Sequence, residues 1–186
     1  SNVTTVESAA EQLSTADEPY DAAICRLGLM LFPAPSAAVS AIRRILKPGS
    51  RFAALVFTTP ANNPFMAQPM SILLRYAGKK PPGPGLPGIF ALGGDGVLEQ
   101  LLAEGGLTSV GSKIIRAPLR LDRAEDALEM IQQAFGAYRA VVAELSDDQQ
   151  AAAWSEVLQC LKQFEGNEGF ETEFEFIIGS GSAEQI

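Results

Sequence analysis

The side chains that most often carry out chemistry in enzymes are scarce in this sequence, and histidine is absent from all 186 residues. Catalytic triads built on histidine, an imidazole general base and histidine-ligated metal sites are therefore excluded. The two cysteines, Cys25 and Cys160, are too few for a disulfide framework or an all-cysteine zinc site, and we expect both to be reduced packing residues. If a nucleophile must be deprotonated, the candidate bases are a carboxylate, Tyr76 or Tyr138, and nothing in the sequence selects among them.

One phosphate-binding pattern is present, but its context argues against that function. Residues 83–88, Gly-Pro-Gly-Leu-Pro-Gly, match the GxGxxG pattern of dinucleotide-binding proteins. The pattern binds a pyrophosphate only between a strand and the start of a helix. Here no strand precedes it, and Pro84 and Pro87 prevent the helix. The usual signatures of nucleotide-phosphate sites, hydrolases and zinc sites are also missing.

The composition indicates a chain that folds around a sizeable core, since 47% of its residues are hydrophobic and 19% are charged. Fourteen basic and 22 acidic residues give a net charge of −8. Nucleic acids and anionic membrane surfaces are disfavoured as partners, because binding them requires clustered lysine and arginine. No apolar stretch approaches the ~20 residues of a membrane span, and the first residues lack a signal-peptide pattern. We therefore expect a cytoplasmic protein.

The elements that would position a site begin with a strand, a helix and a second strand. Residues 20–25 and 52–57 are continuous apolar runs, typical of strands that are buried on both faces. Between them, residues 33–35 begin an amphipathic helix, and residues 47–49, Lys-Pro-Gly, end it. So short a crossover makes the two strands parallel. A β-branched run at residues 3–7 is a further strand candidate.

The remainder of the chain predicts an α/β fold with two additions. Residues 58–96 form a long loop rich in glycine and proline around a short apolar segment, and we interpret it as a lid or substrate loop. A helix follows at 97–103 and a strand at 110–121. Helices at 124–145 and 146–161 form a hairpin within residues 122–165, and Ser146 begins the second helix with a capping box. A last strand at 174–178, flanked by glutamates, has one wet face. We interpret all 186 residues as one domain.

Four pieces of the first third carry a family resemblance. They are Ala10-Glu11-Gln12-Leu13, Tyr20-Asp21-Ala22-Ala23-Ile24-Cys25-Arg26, Leu31-Phe32-Pro33-Ala34-Pro35 and Ala41-Ile42-Arg43-Arg44-Ile45-Leu46-Lys47-Pro48-Gly49-Ser50-Arg51-Phe52. In this order and at this spacing, they resemble class I S-adenosylmethionine-dependent methyltransferases of the ubiquinone/menaquinone-biosynthesis type. The resemblance implies a Rossmann-like sheet and methyl transfer from S-adenosylmethionine, and the apolar side chains of the lid favour a small, apolar or aromatic acceptor.

The resemblance also implies where the site residues lie. The adenine of the cofactor, S-adenosylmethionine, would lie near Ala10 and Glu11, and the transferring centre near Cys25, Arg26 and Leu27. The lid would contribute the apolar side chains of Phe65, Met66 and Met70 to the acceptor site. The same side chains are at least equally typical of a hydrophobic core. Arg26 would bind a cofactor or substrate carboxylate, or serve the structure at the end of its strand.

Compared with that family, the chain lacks the first strand and the glycine-rich turn that holds the cofactor, so we expect a truncated sheet that begins near the third strand. Ala9 and Ala34 replace acids of the family, and Ala34 removes a helix N-cap worth ~1 kcal/mol. Without the first strand, residues 22–25 become an open apolar edge. We expect that edge or the helical hairpin to join a second copy, residues 3–7 to cover the edge, or an N-terminal half to be missing. The rival to an enzyme is an inactive methyltransferase-derived module that oligomerises or binds a partner.

Overall fold

The computed structural model describes residues 2–14, 18–83 and 85–184 and shows a mixed α/β fold. The strands are β1 (Tyr20–Arg26), β2 (Leu46–Phe57), β3 (Thr108–Leu121), β4 (Glu165–Gly166) and β5 (Gly169–Ala183). The helices are α1 (Pro35–Arg44), α2 (Pro64–Tyr76), α3 (Val97–Glu104), α4 (Ala124–Ala134), α5 (Gly136–Val142) and α6 (Asp147–Leu161). The predicted fold class is confirmed.

The strands form one sheet in the order β1-β2-β5-β3, and the short β4 pairs with β5. β1 and β2 are parallel, with Ala22 opposite Arg51 and Arg26 opposite Leu55. The predicted strand-helix-strand crossover is therefore confirmed. β5 runs antiparallel to β2 on its other side, with Phe57 opposite Phe176.

The chain divides into two compact units. The first falls within residues 1–58, 84–115 and 176–186, and the second consists of residues 59–83 and 116–175. β3 and β5 each contribute residues to both units.

In the first unit, α1 and α3 pack together beside the sheet. Every second side chain of β2, from Phe52 to Val56, is buried, as are the inward positions of α1. β5 passes α3 so closely that a Cβ atom built on Gly179 would lie 2.6 Å from a methyl carbon of Leu98. Glycine at this position is what lets the helix approach the strand.

In the second unit, α2 packs against α5 and α6, and α4 packs against both of those helices. The Phe65 ring of α2 lies between two rings of β5, with centroids 5.8 Å from Phe170 and 5.6 Å from Phe174. Ser146 and Gln149 form the predicted capping box at the start of α6.

Three predictions about strands and loops are wrong. Residues 3–7 form no strand, and β1 is not buried on both faces, since Ile24 is 84% exposed. Ile24 lies on the face of the sheet opposite to the buried side chains of β2, and no strand among the described residues pairs with the outer side of β1. The segment 58–96 is not loop throughout, because Pro64 begins the 13-residue helix α2 and takes the first-turn position that proline tolerates.

The predicted helix at 124–145 is two helices. Phe135 has ψ of 87°, outside the helical range, and ends α4, and Gly136 begins α5. In α6 the buried side chains are Ala153, Val157 and Leu161, which share one face of the helix.

Candidate functional site

The candidate site lies in the first unit, where the parallel strands β1 and β2 end at the same edge of the sheet. In open α/β sheets, ligands bind outside the carboxyl ends of such strands. β1 ends with the exposed Arg26, and Leu27 follows in a left-handed conformation with φ of 57°. The Leu27 amide donates a hydrogen bond of 2.9 Å to the Leu55 carbonyl, which holds this turn against β2. The predicted residues Arg26 and Leu27 therefore lie at the carboxyl edge of the parallel strand pair.

Gly28 completes this turn and packs against Cys25. A Cβ atom built on Gly28 would lie 3.2 Å from Cys25 Sγ and 3.7 Å from the Phe32 ring. The Cys25 thiol is half-buried and unoxidised. Cys25 is thus a packing residue of the turn, as its apolar surroundings predict.

Glu11 reaches the same edge from another part of the chain. The 3₁₀ turn Ala10–Gln12 packs on α1, and Glu11 Oε1 accepts a hydrogen bond of 3.3 Å from the amide of Ala34. Ala34 immediately precedes α1 and offers no side-chain cap. A carboxylate is favourable at a helix N-terminus because of the partial positive charge there. Glu11 therefore binds the amide of the N-cap residue Ala34 and places its negative charge beside the start of α1, while Ala10 contributes only a methyl group.

A segment that we name the strap, residues 85–96, lies over these strand ends within the first unit. The Gly88 amide donates a hydrogen bond of 3.0 Å to the carbonyl of Met30, in the 3₁₀ turn after β1. At Gly93 a Cβ atom would lie 2.3 Å from the carbonyl oxygen of Thr58, just past β2. The strap thus rests on backbone just past the end of β2 and on the 3₁₀ turn that follows β1.

Aromatic side chains line the contact between the strap and β2. The ring centroid of Phe57 lies 6.2 Å from that of Phe90 in the strap and 4.8 Å from that of Phe176 in β5. Leu92, two residues after Phe90 in the strap, is also buried. An apolar environment therefore adjoins the strand ends that carry Arg26 and Leu27.

The predicted lid residues lie in the second unit. Phe65 and Met66 are fully buried in its core and Met70 is half-buried. Tyr138 is also buried there, and its hydroxyl donates a hydrogen bond of 2.7 Å to the Met66 carbonyl. Burial raises the pKa of the Tyr138 phenol far above its ordinary value. Tyr138 is therefore poorly suited to be a general base.

A buried polar cluster in the second unit escaped the sequence analysis. Glu175 Oε1 accepts a hydrogen bond of 2.6 Å from Asn62 Nδ2, and Oε2 accepts one of 2.9 Å from Arg116 Nε. The buried Asn63 binds both the amide and the carbonyl of Glu175, at 2.9 and 3.1 Å. The alternation of glutamate and phenylalanine in β5 predicts that Glu175 faces solvent together with Glu171 and Glu173. Its partners come from distant segments of the chain, which the alternation does not indicate: Asn62, Asn63 and Arg116.

The second unit also has a surface cavity of about 270 Å³ beside the β4–β5 turn. Arg120, Phe164, Phe170 and Glu171 contribute to its lining, and Arg120 Nη2 binds Glu171 Oε1 at 2.8 Å. Within the described ranges, no group of three or more histidine, cysteine, aspartate or glutamate side chains is arranged to hold a metal ion.

Comparison with known proteins identifies the type of fold. A family model for the methyltransferase domain matches residues 1–54, which include β1, α1 and most of β2. A Bacillus halodurans C-125 protein classed as a methyltransferase is similar over 98% of this chain and 78% of its own, with 15% identity and a TM-score of 0.55. The fold is methyltransferase-like.

The YcgJ protein of Bacillus subtilis has a similar fold over 95% of this chain and 69% of its own, with 16% identity and a TM-score of 0.50. No protein of curated function matches the sequence at a significant level. Among the described helices, none has both the length and the apolar character required to cross a bilayer.

Proposed function

We propose that this protein takes part in S-adenosylmethionine-dependent methyl transfer to a small, apolar or aromatic acceptor, as in the ubiquinone/menaquinone type of methyltransferase. The observation that carries the proposal is the methyltransferase-domain match at residues 1–54. The same residues build the parallel strand pair and supply Glu11, Arg26 and Leu27 at its carboxyl edge.

The residues at this edge suit the chemistry of the cofactor. The exposed guanidinium of Arg26 would bind the carboxylate of its amino-acid portion. Glu11 uses Oε1 for the Ala34 amide, which leaves Oε2 to accept a hydrogen bond from a hydroxyl or amino group of the nucleoside. When bound, S-adenosylmethionine supplies an electrophilic methyl group on a sulfonium.

The contribution of the protein to such a reaction is mainly positioning. In-line displacement needs the acceptor held at the correct distance and angle, and positioning can supply up to ~7–11 kcal/mol of the barrier reduction. The half-buried rings of Phe90 and Phe176, which pack on the buried Phe57, offer an apolar surface for the acceptor, and the strap would exclude water from the strand ends. No paired acid and base is required for an acceptor that is already nucleophilic.

The direct test is the melting temperature of the chain with S-adenosylhomocysteine, the product form of the cofactor. At about a hundred times the dissociation constant, a real site adds ~2.7 kcal/mol, which is roughly 5–10 °C for a chain of this size. Arg26→Ala should remove most of this shift. Arg44→Ala, at an exposed arginine near the end of α1, is the matched control and should keep it. No shift at millimolar ligand would contradict the proposal.

The alternative is a module that oligomerises or binds a partner without catalysis. The exposed outer edge of β1 favours it, since an uncovered strand is a template for another chain. This alternative is supported if S-adenosylhomocysteine leaves the melting temperature unchanged and the chain associates through β1.

A further inference from the structure

The strap, residues 85–96, is a compact piece of chain that belongs to no helix or strand. Two hydrogen bonds hold it together internally. The Ala91 amide donates to the Gly88 carbonyl at 3.0 Å, and the Gly93 amide donates to the Phe90 carbonyl at 3.2 Å. Leu92, inside the second of these turns, is only 6% exposed. The turns keep residues 88–93 together, so a motion of the strap displaces them as one body.

The strap touches the backbone beyond the two parallel strands at two points. The Gly88 amide bonds to the Met30 carbonyl at 3.0 Å, after β1, and the Gly93 backbone lies against the Thr58 carbonyl, after β2. Because backbone meets backbone at both points, a molecule as large as a nucleoside cannot pass between the strap and the strand ends there. A ligand that enters or leaves on this side requires the strap to move.

Both ends of the strap are glycines in the left-handed region. Gly85 has φ of 77° and Gly96 has φ of 73°. A Cβ atom built on either glycine would have nothing within 4 Å, so the surroundings leave space for the backbone to rotate. Glycine adopts positive and negative φ about equally readily, whereas other residues strongly prefer negative φ. Unhindered glycines on both sides of a self-bonded segment can absorb the backbone rotation of a hinged motion.

We propose that the strap is a gate that turns about Gly85 and Gly96, admits a ligand to the carboxyl edge of β1 and β2, and then closes over it. The inference rests on the proposed function, because the gate controls access to the same strand ends. The conformation described above is the closed state. Opening gives up the Gly88–Met30 hydrogen bond and the burial of Leu92, so the open state is the minor one and the ligand enters only through it.

The first test needs no ligand. Alanine disfavours the left-handed region that the closed state requires, so Gly85→Ala and Gly96→Ala should each raise the open population by ~5–30-fold. Asparagine tolerates that region, so Gly85→Asn and Gly96→Asn are matched controls at the same positions. Chymotryptic cleavage after Phe90 and Leu92 tracks the open population when opening and closing are fast. It should rise by that factor in the alanine variants and stay within ~3-fold of the unaltered chain in the asparagine variants.

The second test follows the binding of S-adenosylhomocysteine by surface plasmon resonance. Because the ligand enters and leaves through the open state, the alanine variants should raise the association and dissociation rate constants by the same factor. The dissociation constant should therefore stay within ~3-fold of that of the unaltered chain. A strap with a merely structural role would move neither rate constant.

The outcomes separate the gate from the proposed function. Alanine variants that bind S-adenosylhomocysteine with the rate constants of the unaltered chain overturn the gate, as does equal cleavage of the alanine and asparagine variants. An unaltered chain that binds no S-adenosylhomocysteine contradicts the proposed function itself, and the gate falls with it.

Discussion

Glu175 is a carboxylate whose side chain is only 7% exposed and whose two oxygens bind Asn62 and Arg116. Glu175→Gln keeps the shape but replaces one acceptor by a donor that would face Asn62 or Arg116. Hydrogen bonds to charged groups contribute ~1.5–3 kcal/mol, so we expect the free energy of unfolding to fall by that amount in denaturant titrations.

Glu173→Gln is the matched control for this prediction. Glu173 lies on the same face of β5 and is exposed. Its replacement should change the free energy of unfolding by less than ~0.5 kcal/mol. Equal effects of the two substitutions would show that the Asn62–Arg116 cluster contributes nothing beyond a surface charge.

Tyr138 predicts a pH effect on stability. Because burial raises the pKa of its phenol, the folded state holds the proton more tightly than the unfolded state. The contribution of this pKa difference to the free energy of unfolding is complete below the ordinary tyrosine pKa of ~10. It is lost as pH rises above that value. Tyr138→Phe should cost ~1 kcal/mol at neutral pH through the lost bond to Met66, and should flatten the alkaline decline in stability. Tyr20→Phe, at an exposed tyrosine, should leave the decline unchanged.

Individual residues were predictable from the sequence only where the neighbours along the chain decide their role. Arg26 and Leu27 could be placed at a strand end because an apolar run stops there. The contact between Glu11 and Ala34 joins residues 23 positions apart, and that between Asn62 and Glu175 joins residues 113 apart. No local pattern encodes such pairs, since they depend on how the elements pack.

Among the elements, the strap gives the clearest prediction. Gly93→Ala would place a Cβ atom 2.3 Å from the Thr58 carbonyl oxygen, so the strap must move. We expect a loss of ~1–3 kcal/mol in stability and faster chymotryptic cleavage after Phe90 and Leu92. Gly83→Ala, where nothing lies within 4 Å of the added atom, should affect neither measurement. Unchanged cleavage in Gly93→Ala would show that the strap is not held at this point.

The bounds of an element could be predicted where the sequence carries a strong helix-start signal. They could not be predicted where hydrophobic periodicity and helix propensity disagree. Proline at the start of α1 and the capping box of α6 fixed helix starts correctly. The apolar spacing through residues 124–145 continues across Phe135, so periodicity alone gives one helix. There the low helix propensity of Gly136 and the packing of α5 on α2 outweigh the pattern, and the chain begins a new helix.

For the whole molecule, the alternative module would make thermal stability depend on protein concentration if it associates through β1. A dimer that forms only from folded chains raises the melting temperature as concentration increases. Scans over a hundredfold range should show this rise for such a module, and Ile24→Lys, at the exposed edge of β1, should remove it. A melting temperature independent of concentration in the unaltered chain would contradict self-association through β1.

The antiparallel pairing of β2 with β5 also has a consequence for synthesis on the ribosome. Phe57 finds its partner Phe176 only about 120 residues later in the chain. At 5–20 residues per second, the apolar strand β2 therefore emerges roughly 6–24 s before its second neighbour exists. During that interval one edge of β2 is unpaired in the nascent chain, so the yield of the protein in cells should depend on chaperones and on the speed of translation.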